Sequence, residues 1–358
     1  MTTGRIQGTV RIVGAGLIGT SIGLALSKLG IPVVLEDSSP ANARLASDYG
    51  AGSLASSNDQ PSLIVVCVPP DVTARVVVAE LGAHPGAIVT DVASVKSSII
   101  DEIAVSGADL SRYVGSHPMA GREKGGAASG RADIFIGRPW VIAEHAESSP
   151  AASKLVEELA LDLQSAPVRM SPLEHDRAVA LVSHVPQLVS SLMAGRLIGA
   201  NGVELAGQGL RDTVRIAASD PKLWVQILGA NSSEVVSILE EYSKDLTQVI
   251  EALRDVSKAG ALSTIDQAIA NGNRGVGQIP GKHGSRNSQF SAHVVMIDDQ
   301  PGELARLLTE IGEIGINVED LKLEHSPGAP IGLVELQVLP SVSDKLTKDL
   351  TERGWRFA

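Results

Sequence analysis

The sequence predicts an α/β chain in three parts: a doubly wound parallel sheet flanked by helices, an all-helical segment, and a small α+β unit. Three observations lead there. Over the first 170 residues, short β-branched runs alternate with helical stretches, the pattern of βαβ units that feed a parallel sheet. From residue 171 to about 269, helical periodicity prevails and strand signals are few. From residue 291 a strand–helix–strand–strand–helix order follows, with room for a short last strand, which suits a ferredoxin-like unit.

At 358 residues the chain is long for one core, so two or three domains are expected. The divisions fall at 1–170, 171–285 and 290–358. The net charge of −11 speaks against a nucleic-acid partner, whose phosphates demand basic surface. It leaves room for a small anionic substrate, because a pocket can be basic on an acidic protein. The one cysteine, Cys67, lies in the apolar run 63–68. It has no partner for an internal disulfide and reads as a buried strand residue, not a catalytic thiol. No apolar run approaches transmembrane length and the N-terminus lacks a signal pattern, so a cytoplasmic protein without a membrane partner is expected.

In the first segment, residues 10–13, 32–35, 63–68, 87–90 and 140–143 read as strands, and 153–164 as a helix with Leu155, Leu159 and Leu163 on one stripe. The second segment opens on a capping box, with Ser171 as N-cap, Pro172 at the first helical position and Glu174 closing it. Pro186 should kink the helix that follows. Residues 271–287, rich in Gly, Asn and basic side chains, read as a linker or surface loop. In the third segment, 293–297 and 331–339 read as strands, 303–314 and 343–353 as helices, and 298–302 as a turn.

Gly14-Ala15-Gly16-Leu17-Ile18-Gly19 directly follows the first strand and opens a helix. This is the context that a Rossmann-type dinucleotide loop requires. Gly14 permits the tight turn, Gly16 lets the backbone approach a pyrophosphate, and Gly19 lets helix and strand pack closely. About twenty residues on, Glu36 and Asp37 end the second strand. A carboxylate there binds the adenosine ribose hydroxyls and repels a 2′-phosphate, and the next arginine is only Arg44. NAD is therefore expected over NADP, with Asp37 preferred for this role and Glu36 as the alternative.

A hundred residues later, Val114-Gly115-Ser116-His117-Pro118-Met119-Ala120-Gly121 places one imidazole among small residues. Ser94 follows the strand at 87–90. Ser94 and His117 are both expected in loops at the carboxyl end of the sheet, where open α/β folds bind ligands. A serine hydroxyl can fix an imidazole tautomer, and neutral imidazole can accept a proton near pH 7. His184, just before Pro186, either lines a site or packs at a helix interface. Arg211 and Arg215, four apart, share a helix face. They are either a solvated basic face or a bidentate carboxylate clamp.

Together these residues resemble the prephenate dehydrogenase family of tyrosine biosynthesis. The ordered set is Gly14 to Gly19, the loop from Asp91 to Lys96, His117-Pro118-Met119-Ala120-Gly121 with Glu123-Lys124, Ser183-His184-Val185-Pro186, and Arg211 to Arg215 through Asp220-Pro221 and Trp224. The tail, with Asp299 to Leu304 and Gly315-Ile316-Asn317-Val318, resembles an ACT regulatory domain. The resemblance implies that prephenate becomes 4-hydroxyphenylpyruvate with loss of CO2 and reduction of NAD. It implies that His117 takes the proton of the C4 hydroxyl, that Ser94 helps orient His117 and the substrate, and that Arg215 binds a substrate carboxylate near His184. Glu123 and Trp224 would line the site. It also implies a homodimer through the helical segment, and amino-acid binding at Gly302 and Asn317, with tyrosine as the candidate effector and a ligand-free dimerisation module as the alternative. No metal is required. One departure is Gln187, where some relatives have a second histidine; arogenate, the amino analogue of prephenate, stays open as the substrate.

Two other readings compete. The β-hydroxyacid dehydrogenases share the glycine loop and domain order, but they depend on a catalytic lysine for which the helical segment offers no matching motif. A non-catalytic, ACT-regulated nucleotide sensor would have no use for His117, Ser94 and Arg215 together.

Overall fold

The computed structural model describes residues 4–121, 125–279, 290–325 and 331–358. The chain forms two compact units, residues 1–199 with 213–241 and residues 200–212 with 242–358.

The first unit is built on β1 (Thr9–Val13), α1 (Leu17–Lys28), β2 (Val33–Glu36), α2 (Pro40–Asp48), β3 (Ser53–Leu54), β4 (Pro61–Val66), α3 (Pro70–Ala83), β5 (Ile88–Asp91), α4 (Ser97–Val105), β6 (Tyr113–Pro118), β7 (Pro139–Ala143), α5 (Pro150–Asp162) and β8 (Ala166–Met170). The strands form one sheet in the order β3-β2-β1-β4-β5-β6-β7-β8. The chain winds outward from β1 to β3, then returns to β4 on the other side. The order thus reverses between β1 and β4, the switch point at which such sheets bind nucleotides. Helices cover both faces, so Ile12, Leu63, Ile64, Val65 and Val89 are fully buried and the strands read as unbroken apolar runs. β8 runs parallel to β7, and the β6–β7 pair is antiparallel, through His117↔Val141 and Pro118↔Trp140. That pairing carries β6 further than the sequence indicates, so His117 is the penultimate residue of a strand and not part of a loop. α5 starts three residues before the expected 153, because Ser149 Oγ accepts from Ala152 N–H (3.2 Å) with Pro150 behind it, the same cap chemistry as at Ser171.

The helical part comprises α6 (Pro172–Val179), α7 (Val185–Gly195), α8 (Gln208–Val214), α9 (Pro221–Ala230), α10 (Ser232–Arg254) and α11 (Ala261–Val276). The capping box at Ser171 is formed in full. The break expected at Pro186 is a π-turn, Ala180–His184, in which Val185 N–H reaches back to Ala180 O. A proline cannot donate and crowds the carbonyl four residues earlier; widening the preceding turn absorbs the misfit. The run Pro172–Gly195 is long and apolar enough to cross a membrane by length and composition. This corrects the expectation that none approaches that length. Read as one helix, the run joins α6, the π-turn and α7, and its first two turns hold Glu174, His175, Asp176 and Arg177. The linker expected from 271 begins later, because α11 continues to Val276. The Asn271 amide oxygen accepts from Gln267 (2.7 Å) and from Arg274 on the same helix face, which offsets the poor helix propensity of Gly272 and Gly275. The basic loop at 281–284 lies outside the described residues.

In the second unit, β9 (Ser291–Asp298), α12 (Glu303–Glu313), β10 (Asp320–His325), β11 (Ile331–Val338), α13 (Ser343–Glu352) and β12 (Arg356–Phe357) follow in order. The sheet order is β10-β11-β9-β12, all pairs antiparallel. This is the expected ferredoxin-like arrangement. Val295, Ile297, Val334, Leu336 and Val338 of the sheet share one core with Leu307, Ile311, Leu346 and Leu350 of the two helices.

Candidate active site

The glycine loop has the geometry a dinucleotide needs. Gly14 holds φ +105, a region that favours glycine, and a Cβ there would collide with the Cys67 carbonyl. A Cβ on Gly19 would collide with the Gly14 carbonyl oxygen, whereas nothing lies within 4 Å of one on Gly16. The loop therefore presents open space at Gly16 beside the N-terminus of α1, and Leu17 and Ile18, half-buried, form its first turn. Asp37 is turned toward this loop: Oδ2 accepts from Ala15 N–H (2.7 Å) and Oδ1 from Ser39 N–H (2.8 Å). Glu36, the alternative, is instead paired with Arg11. Both carboxylates border a cleft of about 440 Å³ with Arg44, Ala55, Ser56 and others.

A second cavity, of about 220 Å³, brings together Ser94, His117, Ser183, His184, Trp224 and Ile227. Four of the predicted site residues thus share one small space. The loop carrying Ser94 is pinned from beneath by a buried cluster. Asp91 accepts from Ala93 N–H (2.8 Å) and Tyr113 O–H (2.7 Å) and is ion-paired with fully buried Lys96. Burial lowers the Lys96 ammonium below its ordinary value, against the pull of Asp91 and Asp176.

The expected role of Ser94 in holding the imidazole falls elsewhere. His117 Nδ1 lies 2.9 Å from His175 Nε2, and His175 Nδ1 lies 2.8 Å from Asp176 Oδ1. His117 Nε2 has no hydrogen-bond partner among the described residues. Asp176 also accepts from Lys96 N–H (2.9 Å) and Ser97 N–H (2.8 Å) at the start of α4. Burial alone would raise its pKa, but the bonds from His175 and Ser97 outweigh it and leave the carboxyl below its ordinary value. Asn231 Nδ2 donates to the Asp176 carbonyl (2.8 Å) and faces His184 Nδ1 at 3.1 Å. That nitrogen must accept, so the ring proton of neutral His184 sits on Nε2. His184 packs edge-on to Trp224 with ring centroids 6.0 Å apart.

Sequence reasoning missed His175, Asp176 and Asn231. A signal existed: the capping box needs only Ser171 and Glu174, so two adjacent titratable residues directly behind it had no local task. Arg215 is not among the residues lining the small cavity. It opens a 3-10 turn, Arg215–Ala217, where α8 has already ended at Val214, so the four-residue spacing from Arg211 does not describe one continuous α-helical face. Arg215 is exposed and carries no ion pair among the described residues. Glu123 lies outside the described residues. In the second unit, Gly302 holds φ +97 at the start of α12, and the Asn317 amide donates to Glu319 Oε1 (2.9 Å).

Burial, and then repulsion from His175, Lys96 and His184 when these carry a proton, push His117 well below its ordinary pKa. Burial and then His175 lower His184 to about 4. These rings are neutral in the fold, whereas unfolding restores a pKa of about 6.5. Unfolding thus takes up protons below about pH 6.5, and stability is full above that pH and is lost as pH falls toward about 4. Melting temperature should drop between about pH 7 and pH 5; thermal melts in matched ionic strength check this, and a flat curve would contradict it.

Residues 22–168 match the family described as prephenate dehydrogenase, nucleotide-binding domain, and residues 171–265 match prephenate dehydrogenase, dimerization domain. The Streptomyces niveus protein NovF, described as a probable prephenate dehydrogenase, is 35% identical over 356 residues, covering 97% of this chain and 98% of its own. Prephenate dehydrogenase of Bacillus subtilis is 27% identical over 261 residues, covering 68% and 70%. Among solved structures, the A. aeolicus prephenate dehydrogenase in complex with hydroxyphenyl propionate and NAD+ superposes with a TM-score of 0.67 at 24% identity, covering 75% of this chain and 98% of that one.

Proposed function

The chain belongs to the prephenate dehydrogenase family, and from that premise we propose that it converts prephenate to 4-hydroxyphenylpyruvate with loss of CO2 and reduction of NAD, in tyrosine biosynthesis. The observation that carries this reading is the cavity in which His117 offers an Nε2 without a hydrogen-bond partner among the described residues and His184 an N–H, in the same unit as the glycine loop.

NAD, when bound, accepts the hydride that leaves C4 of the substrate. The chain's own residues do the rest. The open space at Gly16, the positive φ of Gly14 and the α1 N-terminus fit a pyrophosphate. Asp37, held by two backbone N–H groups, keeps oxygen lone pairs for ribose hydroxyls and repels a 2′-phosphate. His117 Nε2 takes the C4 hydroxyl proton as the hydride departs. The resulting dienone loses CO2 and aromatises, so positioning, one base and one cation suffice. Ser94 orients the substrate from the facing loop, His184 donates to it through Nε2, and Trp224 walls the cavity.

Arg215, without an ion pair among the described residues, binds a substrate carboxylate. Arg215→Ala should raise KM for prephenate by roughly 10- to 100-fold through the lost charge-assisted contact while kcat changes much less; unchanged steady-state kinetics would refute the assignment. Arogenate is the alternative substrate under the same chemistry, and the product decides between them: 4-hydroxyphenylpyruvate from prephenate, tyrosine from arogenate.

The chain acts as a homodimer through its helical segment. The exposure of Leu181, Val182, Leu192 and Val225, each more than 60% accessible in the single chain, supports a covering partner. The second unit is an ACT domain that binds tyrosine near Gly302 and Asn317. Tyrosine at millimolar concentration should then shift activity or melting temperature; no change in either would leave it a dimerisation module. A cytoplasmic location is part of the same proposal.

A further inference from the structure

We propose that His175 and Asp176 are positioning residues for the reaction, fixing His117 in the tautomer that leaves Nε2 bare; this rests on the reading of His117 as the base. Lys96 N–H and Ser97 N–H can only donate, and both point at the Asp176 carboxylate (2.9 and 2.8 Å). Asp176 is thus an ionised acceptor at the N-terminus of α4, where a helix favours negative charge. His175 Nδ1, 2.8 Å from Asp176 Oδ1, must then be the protonated nitrogen of that ring. A neutral imidazole has one N–H, so His175 Nε2 is an acceptor. It lies 2.9 Å from His117 Nδ1, which must donate. The single proton of neutral His117 is then on Nδ1, and Nε2 is free to take a proton from substrate.

The same chain acts after proton transfer. The imidazolium of His117 keeps its Nδ1–H on His175, whose far side faces a buried carboxylate. That carboxylate opposes the other charges around the ring. The standing one is Lys96, itself paired with Asp91 from the end of β5; His184 from the π-turn, neutral in the fold, adds to it only when protonated. His175 and Asp176 are fully or almost fully buried, and both His175 nitrogens are spent on this chain.

The test uses the full-length enzyme and begins with the wild type. In 15N spectra of histidine-labelled protein near pH 7.5, the signals lost in His117→Asn identify His117. They should show a protonated Nδ1 and an unprotonated Nε2; the opposite tautomer overturns the proposal. His175→Leu removes the acceptor and should lower kcat by about 10²-fold with KM and NAD affinity little changed. His175→Gln, whose amide oxygen can stand near Nε2, should restore at least about tenfold of that loss. A folded His175→Leu with wild-type kcat and pH profile overturns the proposal, as does a loss that His175→Gln does not restore. If His175→Leu fails to fold, the tautomer in the wild type decides. Failure of the underlying reading is distinct: His117→Asn would then retain turnover.

Discussion

His117→Asn should leave NAD affinity and melting temperature close to wild type and lower kcat with prephenate by about 10²- to 10⁴-fold. The asparagine amide fills similar space and can hydrogen-bond His175, but it cannot accept a proton from a hydroxyl. The loss corresponds to roughly 3–5 kcal/mol of barrier at about 1.4 kcal/mol per factor of ten. Because His117 lies on β6 in a cavity separate from the glycine loop, the cofactor site has no reason to respond. Steady-state kinetics with an independent NAD titration check both halves. A fall in kcat of less than tenfold would remove His117 from the role of base. Parallel loss of NAD binding would make the effect structural.

The second large effect separates two glycines three residues apart. Gly16→Ala should fold and melt like wild type, because nothing lies within 4 Å of the added methyl and its φ of −79 suits alanine. That same empty space is where a pyrophosphate approaches the backbone, so NAD affinity should fall by roughly 10- to 100-fold. Gly19→Ala should do the reverse in kind. Its methyl would collide with the Gly14 carbonyl oxygen and press on Ile12, forcing α1 away from β1 at a cost of about 1–3 kcal/mol or more. Melting temperature should then fall by several degrees, on the order of 2–4 °C per kcal/mol, before any ligand is added. Differential scanning calorimetry and NAD titration on both variants check this. Equal melting temperatures would mean that the loop is looser than its contacts indicate.

The features legible in the sequence are those with a local cause. The glycine loop, the capping box at Ser171, the buried strands around Ile12, Val65 and Val89, and the βαββα order after residue 291 each follow from periodicity or cap chemistry within a dozen residues. The ordered set of motifs was enough to reach the family. The features that were not legible depend on partners far along the chain. Nothing near His117 indicates His175, 58 residues on, or that Lys96 and Ser97 would fix the carboxylate of Asp176, 80 and 79 residues away. The strand character of His117 depends on antiparallel β7, and the π-turn depends on how the helix accommodates Pro186 while His184 meets Asn231. Tertiary contacts decide these points, and a single sequence carries them only through the fold.

The most direct test of the whole account is the initial rate of NADH formation by the purified enzyme with prephenate and NAD. Prephenate-dependent NADH should form, strongly reduced when NADP replaces NAD and lowered by about 10²- to 10⁴-fold in His117→Asn. NAD binding without NADH formation from either prephenate or arogenate would contradict it.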